Sequence, residues 1–534
     1  MKKVISVVLA IIIVFTLTAP TFASAEKCSC GVLPVVYVPG FGETIYKYPG
    51  TENEVSVFPP EEDAIKEAVP DILKAVGALL ISNYDKFGEY AIDAADKILS
   101  DAGCNPDGTA RENTGIDPCT LPSEDRHRTA VYAFDNKEVD NESEFKYTYD
   151  WRLDPVDNAK GLHEYIEQVK EFTGHSKIVL ASHSQGNTVV ASYLHLYGSD
   201  GIEKIVFLSP AYQGLSLVGA LLTRTCTVEG KEEAVADFVM GIMGYEDVTA
   251  QLVGAIISIL NDYGVTGILL DFVEKILDEQ LDRIFDDYLI DVMGTMPGIW
   301  SFVPDEYYED AKKATFRGLD KYDELEKKTD YYHYNVQCRL TELIDAAKAN
   351  GTAIVSSLGY NISSIPVTEE KENHSDFLID TKYMSIGATV AKMGETLGDD
   401  YKQKNTSCGH NHVSPDNIID ASTSAYPEHT WYIKGNPHNE FVDPYREFIT
   451  WLILFDGQPT VHSNPDYPQF MEISGEELKA VEGAKEKDKR SNERIIIESI
   501  IILIKDAIKQ IKIRTRTVSR EAVRVFVIYR LRCA

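Results

Sequence analysis

A serine flanked by small residues is the strongest chemical signal in this sequence. Ser184 has Ser182 two positions before it and Gly186 two positions after it. This small-x-Ser-x-Gly spacing is typical of a nucleophile on a tight strand-to-helix turn, where larger neighbours would collide with the backbone. A serine hydroxyl is a weak nucleophile by itself, so the pattern also calls for a histidine base and an acid that orients it.

The order of residues along the chain limits which acid and which histidine can act with Ser184. On such turns the acid follows the serine and the histidine follows the acid. Asp416 lies in a polar loop, and His438 lies in the loop directly after the apolar segment Thr430–Ile433. We therefore predict Asp416 as the acid and His438 as the base, with Asp420 as the competing acid. The competing bases are less well placed, because one precedes its strand and two precede the acid: His429, His410 and His412.

A serine nucleophile also needs two backbone N–H groups that stabilise the oxyanion formed on the attacked carbonyl. One should come from Gln185, the residue after the nucleophile. The other should come from Phe41, in the loop after the first predicted strand, because the glycines on both sides let this backbone approach the substrate closely.

The elements that must position these residues alternate between strands and helices. Charge-free, β-branched runs predict strands, and apolar residues at three-to-four spacing predict helices. This alternation is typical of an α/β fold with a mostly parallel central sheet and helices on both faces. In chain order, the predicted elements are a strand at 33–40, a strand at 129–134, a helix at 157–173, a strand at 178–180, a helix at 188–197 and a strand at 204–208.

The alternation stops after residue 214, so we divide the mature chain into three parts. Residues 26–214 form the first part of the core. Residues 215–330 form a helical insertion, either a cap over the active site, which we favour, or a separate helical domain. Residues 331–478 complete the core. In this last part the pattern predicts strands at Tyr383–Ile386 and Thr430–Ile433, followed by a helix at 443–455.

The two ends differ from the rest of the chain. Residues 1–25 combine Lys2 and Lys3 with a short apolar run and an Ala-Ser-Ala site, which is typical of a cleaved signal peptide. We therefore expect a secreted or cell-surface bacterial protein.

Residues 479–534 hold 15 Lys+Arg against 7 Asp+Glu. This basic, apolar tail either contacts an anionic surface or packs poorly.

The overall charge argues against one class of partner. The chain carries 52 Lys+Arg and 84 Asp+Glu, a formal net charge of −32. Such an acidic protein repels polyphosphate, so nucleic acid is excluded as an expected partner.

The cysteines and histidines leave two further questions open. Export permits disulfides, and a bridge between Cys104 and Cys119 would close a Gly/Pro/Asp-rich loop, with free thiols as the alternative.

His410 and His412 could contribute metal ligands, but two histidines without a third partner at a known spacing are more typical of a polar loop. We therefore expect no metal and no cofactor.

Three stretches resemble the lecithin:cholesterol acyltransferase and lysosomal phospholipase branch of the α/β-hydrolases. They are the strand Pro34–Gly40, the Tyr-Asp-Trp-Arg signature within Tyr149–Pro155 and the nucleophile segment Ile178–Asn187. The resemblance covers residues 33–212 well and 380–455 loosely. It implies a Ser/Asp/His triad, with Asp416 and His438 at the family's acid and base positions. It also implies a lid and acyl-ester substrates that are often phospholipids.

Trp151 and Arg152 within that signature allow two interpretations. An arginine can bind a carboxylate through two parallel hydrogen bonds, and Asp150 and Asp154 lie close in sequence. We favour this structural latch over a direct contact with substrate.

Together these patterns predict a secreted serine lipase or esterase that hydrolyses lipid or other acyl esters, in contact with a membrane or lipid interface. An O-acyltransferase would use the same residues and the same acyl-enzyme with an alcohol as acceptor. The alternative of another class is a catalytically inactive surface protein that keeps the fold for binding.

Overall fold

The computed structural model describes residues 33–121, 145–228, 253, 255–259, 261, 265–368, 373–439, 441–474 and 477–483. The predicted signal peptide, the predicted strand at 129–134 and most of the tail at 479–534 lie outside these residues.

An eight-stranded sheet organises the described chain. Its spatial order is β8-β7-β6-β5-β4-β3-β1-β2, and every neighbouring pair is parallel except the antiparallel pair β7–β8 at one edge. In chain order the strands are β1 Val35–Val38, β2 Phe145–Lys146, β3 Ile178–His183, β4 Ile202–Leu208, β5 Ala353–Tyr360, β6 Thr430–Lys434, β7 Phe470–Ser474 and β8 Glu477–Ala480.

The central strands are buried on both faces because their residues are apolar at successive positions. Along β3, Leu180 packs into one hydrophobic core, whereas Val179 and Ala181 pack into a second core on the opposite face. This is the two-residue period of a strand. Helices cover both cores, so the predicted α/β-hydrolase fold class, with helices on both faces of a mostly parallel sheet, is confirmed.

The helices divide between the two faces of the sheet. α3 and α4 contribute buried residues to the first core, and α12 contributes to the second core. The helices are α1 Glu62–Leu80, α2 Tyr84–Leu99, α3 Pro155–Thr173, α4 Gly186–Tyr197, α5 Ser216–Thr223, α6 Val265–Ile284, α7 Pro297–Trp300, α8 Asp305–Phe316, α9 Asp323–Tyr332, α10 Leu340–Ala349, α11 Thr381–Met384 and α12 Asp443–Leu454.

Smaller elements complete the described chain. A three-stranded antiparallel sheet joins Ile45–Lys47, Val55–Phe58 and Thr114–Gly115. Two short antiparallel pairs join Ile362–Ser363 to His374–Ser375 and Thr389–Val390 to Ile419–Asp420. Two π-helices span Phe285–Gly294 and His333–Gln337.

A long helical segment separates β4 from β5, where the sequence predicts an insertion. Its described helices begin with α5 and run to α10. Tyr288 donates a hydrogen bond to the carbonyl of Ala95 on α2, at 2.8 Å, so the insertion also packs on the helical segment between β1 and β2. Among the described helices, none combines the length and the apolar character needed to cross a bilayer.

One predicted strand is wrong, and four strands of the main sheet were not predicted. Tyr383–Ile386 was predicted as a strand, but Thr381–Met384 forms a single helical turn closed by the Ser385 N–H on the Thr381 carbonyl. Four apolar residues cannot distinguish the two periodicities. The strands β2, β5, β7 and β8 were not predicted, although Ala353–Tyr360 carries no charge.

The predicted latch at Arg152 forms with Asp150 and not with Asp154. The Arg152 guanidinium is fully buried and donates to both oxygens of Asp150, at 2.9 and 2.6 Å. A third hydrogen bond reaches the carbonyl of Ala102 at 3.1 Å. Asp154 instead caps α3 by accepting from the Val156 N–H at 2.9 Å.

The suggested bridge between Cys104 and Cys119 does not form. Both cysteines are free thiols, and Cys104 is buried in the first core. The Cys119 sulfur accepts a hydrogen bond from the Thr148 N–H at 3.3 Å instead. Burial raises the pKa of the Cys104 thiol to about 12, which keeps it in the unreactive protonated form.

Replacement of the latch arginine should destabilise the fold. Arg152→Met leaves Asp150 as a buried charge without its counter-charge, so we expect the free energy of unfolding to fall by about 3–5 kcal/mol. The matched control is Lys160→Met, because Lys160 forms an exposed pair with Asp157 and should change stability by less than about 0.5 kcal/mol. Urea unfolding followed by circular dichroism measures both, and equal effects would contradict the latch.

Candidate active site

Ser184 lies at the tip of a tight turn between β3 and α4. Its φ is 53°, in the left-handed region that residues other than glycine rarely adopt. The Ser184 N–H donates to the Leu208 carbonyl at 3.1 Å, at the end of the neighbouring strand β4. The strained residue is therefore held by the sheet itself, as expected for a nucleophile elbow.

The small residues two positions before and after Ser184 are needed for different structural reasons. A Cβ on Gly186 would lie 2.2 Å from the Val38 carbonyl, so a larger residue here would push α4 away from β1. Ser182 is fully buried, and its hydroxyl donates to the side-chain oxygen of Asn187 at 2.8 Å. This hydrogen bond explains why serine is accommodated where glycine is more usual.

His438 connects the serine to an acid. Its Nε2 lies 2.8 Å from the Ser184 hydroxyl, and its Nδ1 lies 2.7 Å from an oxygen of Asp376. A carboxylate only accepts hydrogen bonds, so Nδ1 carries the proton and Nε2 is left as the acceptor for the serine hydroxyl. The three side chains thus have the connectivity of a nucleophile, a general base and an orienting acid.

Asp376 is held firmly in this role by its surroundings. It is fully buried, and its second carboxylate oxygen accepts from the N–H groups of Leu378 at 3.1 Å and Ile379 at 2.8 Å. The N–H of His438 also donates to the Asp376 carbonyl at 3.0 Å. The acid loop and the histidine loop are therefore joined through both backbone and side chain.

The prediction of Asp416 as the acid is wrong, and Asp420 does not replace it. The Asp416 carboxylate pairs with the Lys434 ammonium at 2.7 Å and accepts from the Tyr360 hydroxyl at 3.1 Å. Asp420 accepts from the Tyr401 hydroxyl and the Lys404 N–H, both at 2.9 Å. Both carboxylates are committed to loops and strand ends away from His438.

The error has a traceable cause in the sequence. Asp376 follows β5, the strand beside β4, and its segment Ser375–Ile379 carries one acidic side chain before an apolar run. The charge-free run Ala353–Tyr360 is the sequence signal for β5, and the segment that follows this strand holds Asp376. Without that strand, Asp416 was preferred because it lies in a polar loop before two β-branched residues.

The competing histidines do not contact Ser184. His429 lies with its Nδ1 3.1 Å from the Pro459 carbonyl. His410 and His412 both face the carboxylate of Glu428, at 2.8 and 3.2 Å. His438 is therefore the histidine that the fold brings to the nucleophile.

A second histidine lies directly behind the base and was not anticipated. His183 Nε2 donates to the His438 carbonyl at 2.9 Å, and the two rings are 4.8 Å apart. Burial, and then the neighbouring His438, lower the pKa of His183 to about 3. His183 is therefore neutral and holds the backbone of the histidine loop.

The loop after β1 reaches the nucleophile where an oxyanion hole is needed. A Cβ on Gly40 would lie 2.6 Å from the Ser184 Cβ and 3.1 Å from its hydroxyl oxygen. This close approach places Phe41, the next residue, beside the serine. Within the described part of the chain, neither the Phe41 N–H nor the Gln185 N–H is bonded to another backbone group, so both predicted donors are available to a substrate oxygen.

Trp151 and the helical insertion pack around the elbow. The Trp151 ring lies 4.1 Å from the Phe41 ring, and its carbonyl accepts from the Gln185 side chain at 2.7 Å. Gly298, in the insertion, donates to the Arg152 carbonyl at 2.9 Å. A Cβ on Gly298 would lie 1.9 Å from the Trp151 carbonyl, so only glycine fits this contact.

Replacing each aspartate with asparagine should show which of the two acts in catalysis and which acts in stability. Asp376→Asn permits the wrong tautomer of His438, and we expect kcat for a soluble nitrophenyl ester to fall about 10⁴-fold. Asp416→Asn should leave kcat nearly unchanged and lower stability instead, because Lys434 loses its counter-charge. A larger loss of kcat in Asp416→Asn than in Asp376→Asn would contradict the observed connectivity.

The neutral His183 predicts a specific dependence of stability on pH. Between its ordinary pKa of 6.5 and its folded pKa of about 3, the unfolded chain binds a proton that the folded chain does not. The free energy of unfolding should therefore fall as the pH falls through this range, with about 1.4 kcal/mol per pH unit from this residue. His183→Gln should have a correspondingly shallower slope in urea unfolding series, and parallel slopes would contradict the assignment.

Comparison with known proteins agrees with part of this site. Residues 138–236 match the family model described as "Lecithin:cholesterol acyltransferase", which confirms the resemblance over the signature at 149–155 and the nucleophile elbow. The match supports a general function in acyl-ester hydrolysis or acyl transfer.

A solved structure titled "The crystal structure of Tle4-Tli4 complex" is 12% identical to this chain. The likeness covers 74% of this chain and 88% of that chain, with a TM-score of 0.24. No curated protein matches the chain.

Proposed function

We propose that the protein is an exported serine lipase or esterase that hydrolyses acyl esters through Ser184, His438 and Asp376. The observation that supports it best is the continuous hydrogen-bonded chain from the Ser184 hydroxyl through both nitrogens of His438 to the Asp376 carboxylate. This connectivity is the one that general-base activation of a serine requires.

In the proposed first half-reaction, His438 Nε2 removes the Ser184 proton as the serine oxygen attacks the ester carbonyl. Asp376 stabilises the imidazolium that forms, without taking its proton. The N–H groups of Phe41 and Gln185 would receive the negative oxygen of the tetrahedral intermediate. His438 then donates its proton to the departing alcohol, and the acyl group stays on Ser184.

In the second half-reaction, an acceptor attacks the acyl-enzyme by the same steps in reverse. Water would release a free acid, and an alcohol would give a new ester. Every residue named in the first half-reaction serves both outcomes, so hydrolysis and O-acyl transfer differ only in which acceptor reaches the acyl-enzyme.

A lipid substrate is favoured by the aromatic surroundings of the proposed oxyanion site. Phe41, Phe58 and Trp151 pack together, and Phe41 is 46% exposed beside the buried serine. An exposed ring at this place offers an apolar contact to an acyl chain. Gly298 of the insertion packs against Trp151 and Gln185, which supports the interpretation of residues 215–330 as a cap.

A fluorophosphonate probe and a product analysis test the proposal. The wild-type chain should be labelled at Ser184, and Ser184→Ala should lose both labelling and ester hydrolysis. Ser192→Ala is a matched control, because Ser192 is a buried serine on α4 that donates only to the Thr188 carbonyl. The products from a labelled long-chain ester, with and without a long-chain alcohol, then distinguish free acid from transferred ester.

Each other outcome identifies a different function. Predominant formation of the new ester in excess water would make the protein an O-acyltransferase. Equal labelling of the wild-type chain and Ser184→Ala, or labelling of neither, would contradict the enzymatic proposal and favour the inactive binding protein.

A further inference from the structure

We propose that Cys408, His410, His412 and Glu428 form a structural zinc site. The first three residues occupy alternate positions of one loop, and Glu428 lies in the turn that precedes β6. One ligand atom from each side chain lies within 4.8 Å of all the others. None of these side chains takes part in the proposed reaction at Ser184.

The distances between the ligand atoms are close to those of a tetrahedral zinc centre. Zinc binds nitrogen or oxygen at about 2.0–2.2 Å and thiolate at about 2.3 Å, which places neighbouring ligand atoms roughly 3.3–3.6 Å apart. In the protein, His410 Nδ1 is 2.8 Å from the Glu428 carboxylate, and His412 Nε2 is 3.2 Å from both this carboxylate and the Cys408 sulfur. A slight expansion of the cluster would admit the ion.

Hydrogen bonds fix the orientation of the His412 ring. Its ring is fully buried, and its Nδ1 lies 2.7 Å from the side-chain oxygen of Gln469. The Gln469 NH₂ group donates to the carbonyls of Pro427 and Thr430, at 2.7 and 3.2 Å. This arrangement fixes the Gln469 oxygen as the acceptor, so His412 carries its proton on Nδ1.

The other nitrogen of His412, Nε2, therefore faces the cluster. It lies 3.2 Å from a Glu428 oxygen, a separation at which one metal ion can bind both atoms. A zinc ion bound to both, and to Cys408 and His410, would satisfy all four groups at once. Gln469 would then be the outer hydrogen-bond partner that orients a metal-bound histidine.

The ligand types favour zinc and a structural role. One thiolate, two imidazoles and one carboxylate suit zinc better than calcium or magnesium, which prefer oxygen alone. Four protein ligands leave no open position for substrate, as in structural sites. The ion would join the loop at 408–412 to the turn before β6, the strand that leads to His438.

A second group of side chains provides an internal comparison. Asp305, His333 and Cys338 also lie close together, but they offer only three ligands. Zinc bound at this second group would depend on Cys338 and not on Cys408. Cys338→Ser is therefore the matched control for Cys408→Ser.

Metal analysis of the full chain tests the site. After incubation with zinc chloride and gel filtration, elemental analysis should give about one zinc per chain in the wild type and in Cys338→Ser. Cys408→Ser should lose the metal. Gln469→Ala should keep the ligands but weaken zinc affinity by about 10–100-fold in a chelator competition.

Two further readouts separate the site from a hydrogen-bonded loop. Cobalt bound in place of zinc should give a thiolate-to-cobalt charge-transfer absorption that is absent in Cys408→Ser. A chelator should lower Tm of the wild type but not of Cys408→Ser. Absence of stoichiometric zinc in the wild type, or loss of zinc in Cys338→Ser alone, would overturn the proposal whatever the fluorophosphonate labelling of Ser184 shows.

Discussion

His438 must accept a hydrogen bond on one nitrogen while it donates one from the other, and the arrangement around the candidate site depends on this double requirement. Ser184 follows β3, Asp376 lies in the connection after β5, and His438 follows β6. Parallel strands end at a common edge, so their carboxyl-terminal loops can meet there. The parallel sheet thus brings together three side chains that are 192 and 62 residues apart along the chain.

Close packing around the nucleophile explains why so many small residues surround it. Gly40, Gly186 and Gly298 each leave no room for a Cβ against the backbone or side chain that faces them. These contacts bring the loop after β1, the start of α4 and the helical insertion into direct contact with the elbow. Ser184 can keep a left-handed φ because this surrounding structure restrains it on several sides.

The strand that carries the histidine loop is restrained near both ends. At its carboxyl end, Lys434 pairs with Asp416, and this carboxylate also accepts from Tyr360 at the end of β5. Before its amino end, Glu428 lies among Cys408, His410 and His412, where we propose a zinc ion. Asp416 is therefore not the acid that orients His438, but its contacts stabilise the strand that leads to this histidine.

Local sequence patterns were sufficient to predict the segments whose structure depends on a few neighbouring residues. The elbow around Ser184, the strands and helices that flank it, and the histidine after β6 could be predicted because small-residue spacing, β-branched runs and three-to-four periodicity are properties of a few neighbouring residues. Those segments appear in the structure at Ile178–His183, Gly186–Tyr197 and Thr430–Lys434.

The identity of the acid and the composition of the histidine cluster were decided only by the tertiary structure. Asp376, Asp416 and Asp420 all follow the serine and precede the histidine, so chain order cannot choose among them. The choice depends on which loop β5 directs toward His438. Likewise, Glu428 joins His410 and His412 only because the chain folds back before β6. Contacts between residues distant in sequence depend on strand order and loop path, which no local pattern specifies.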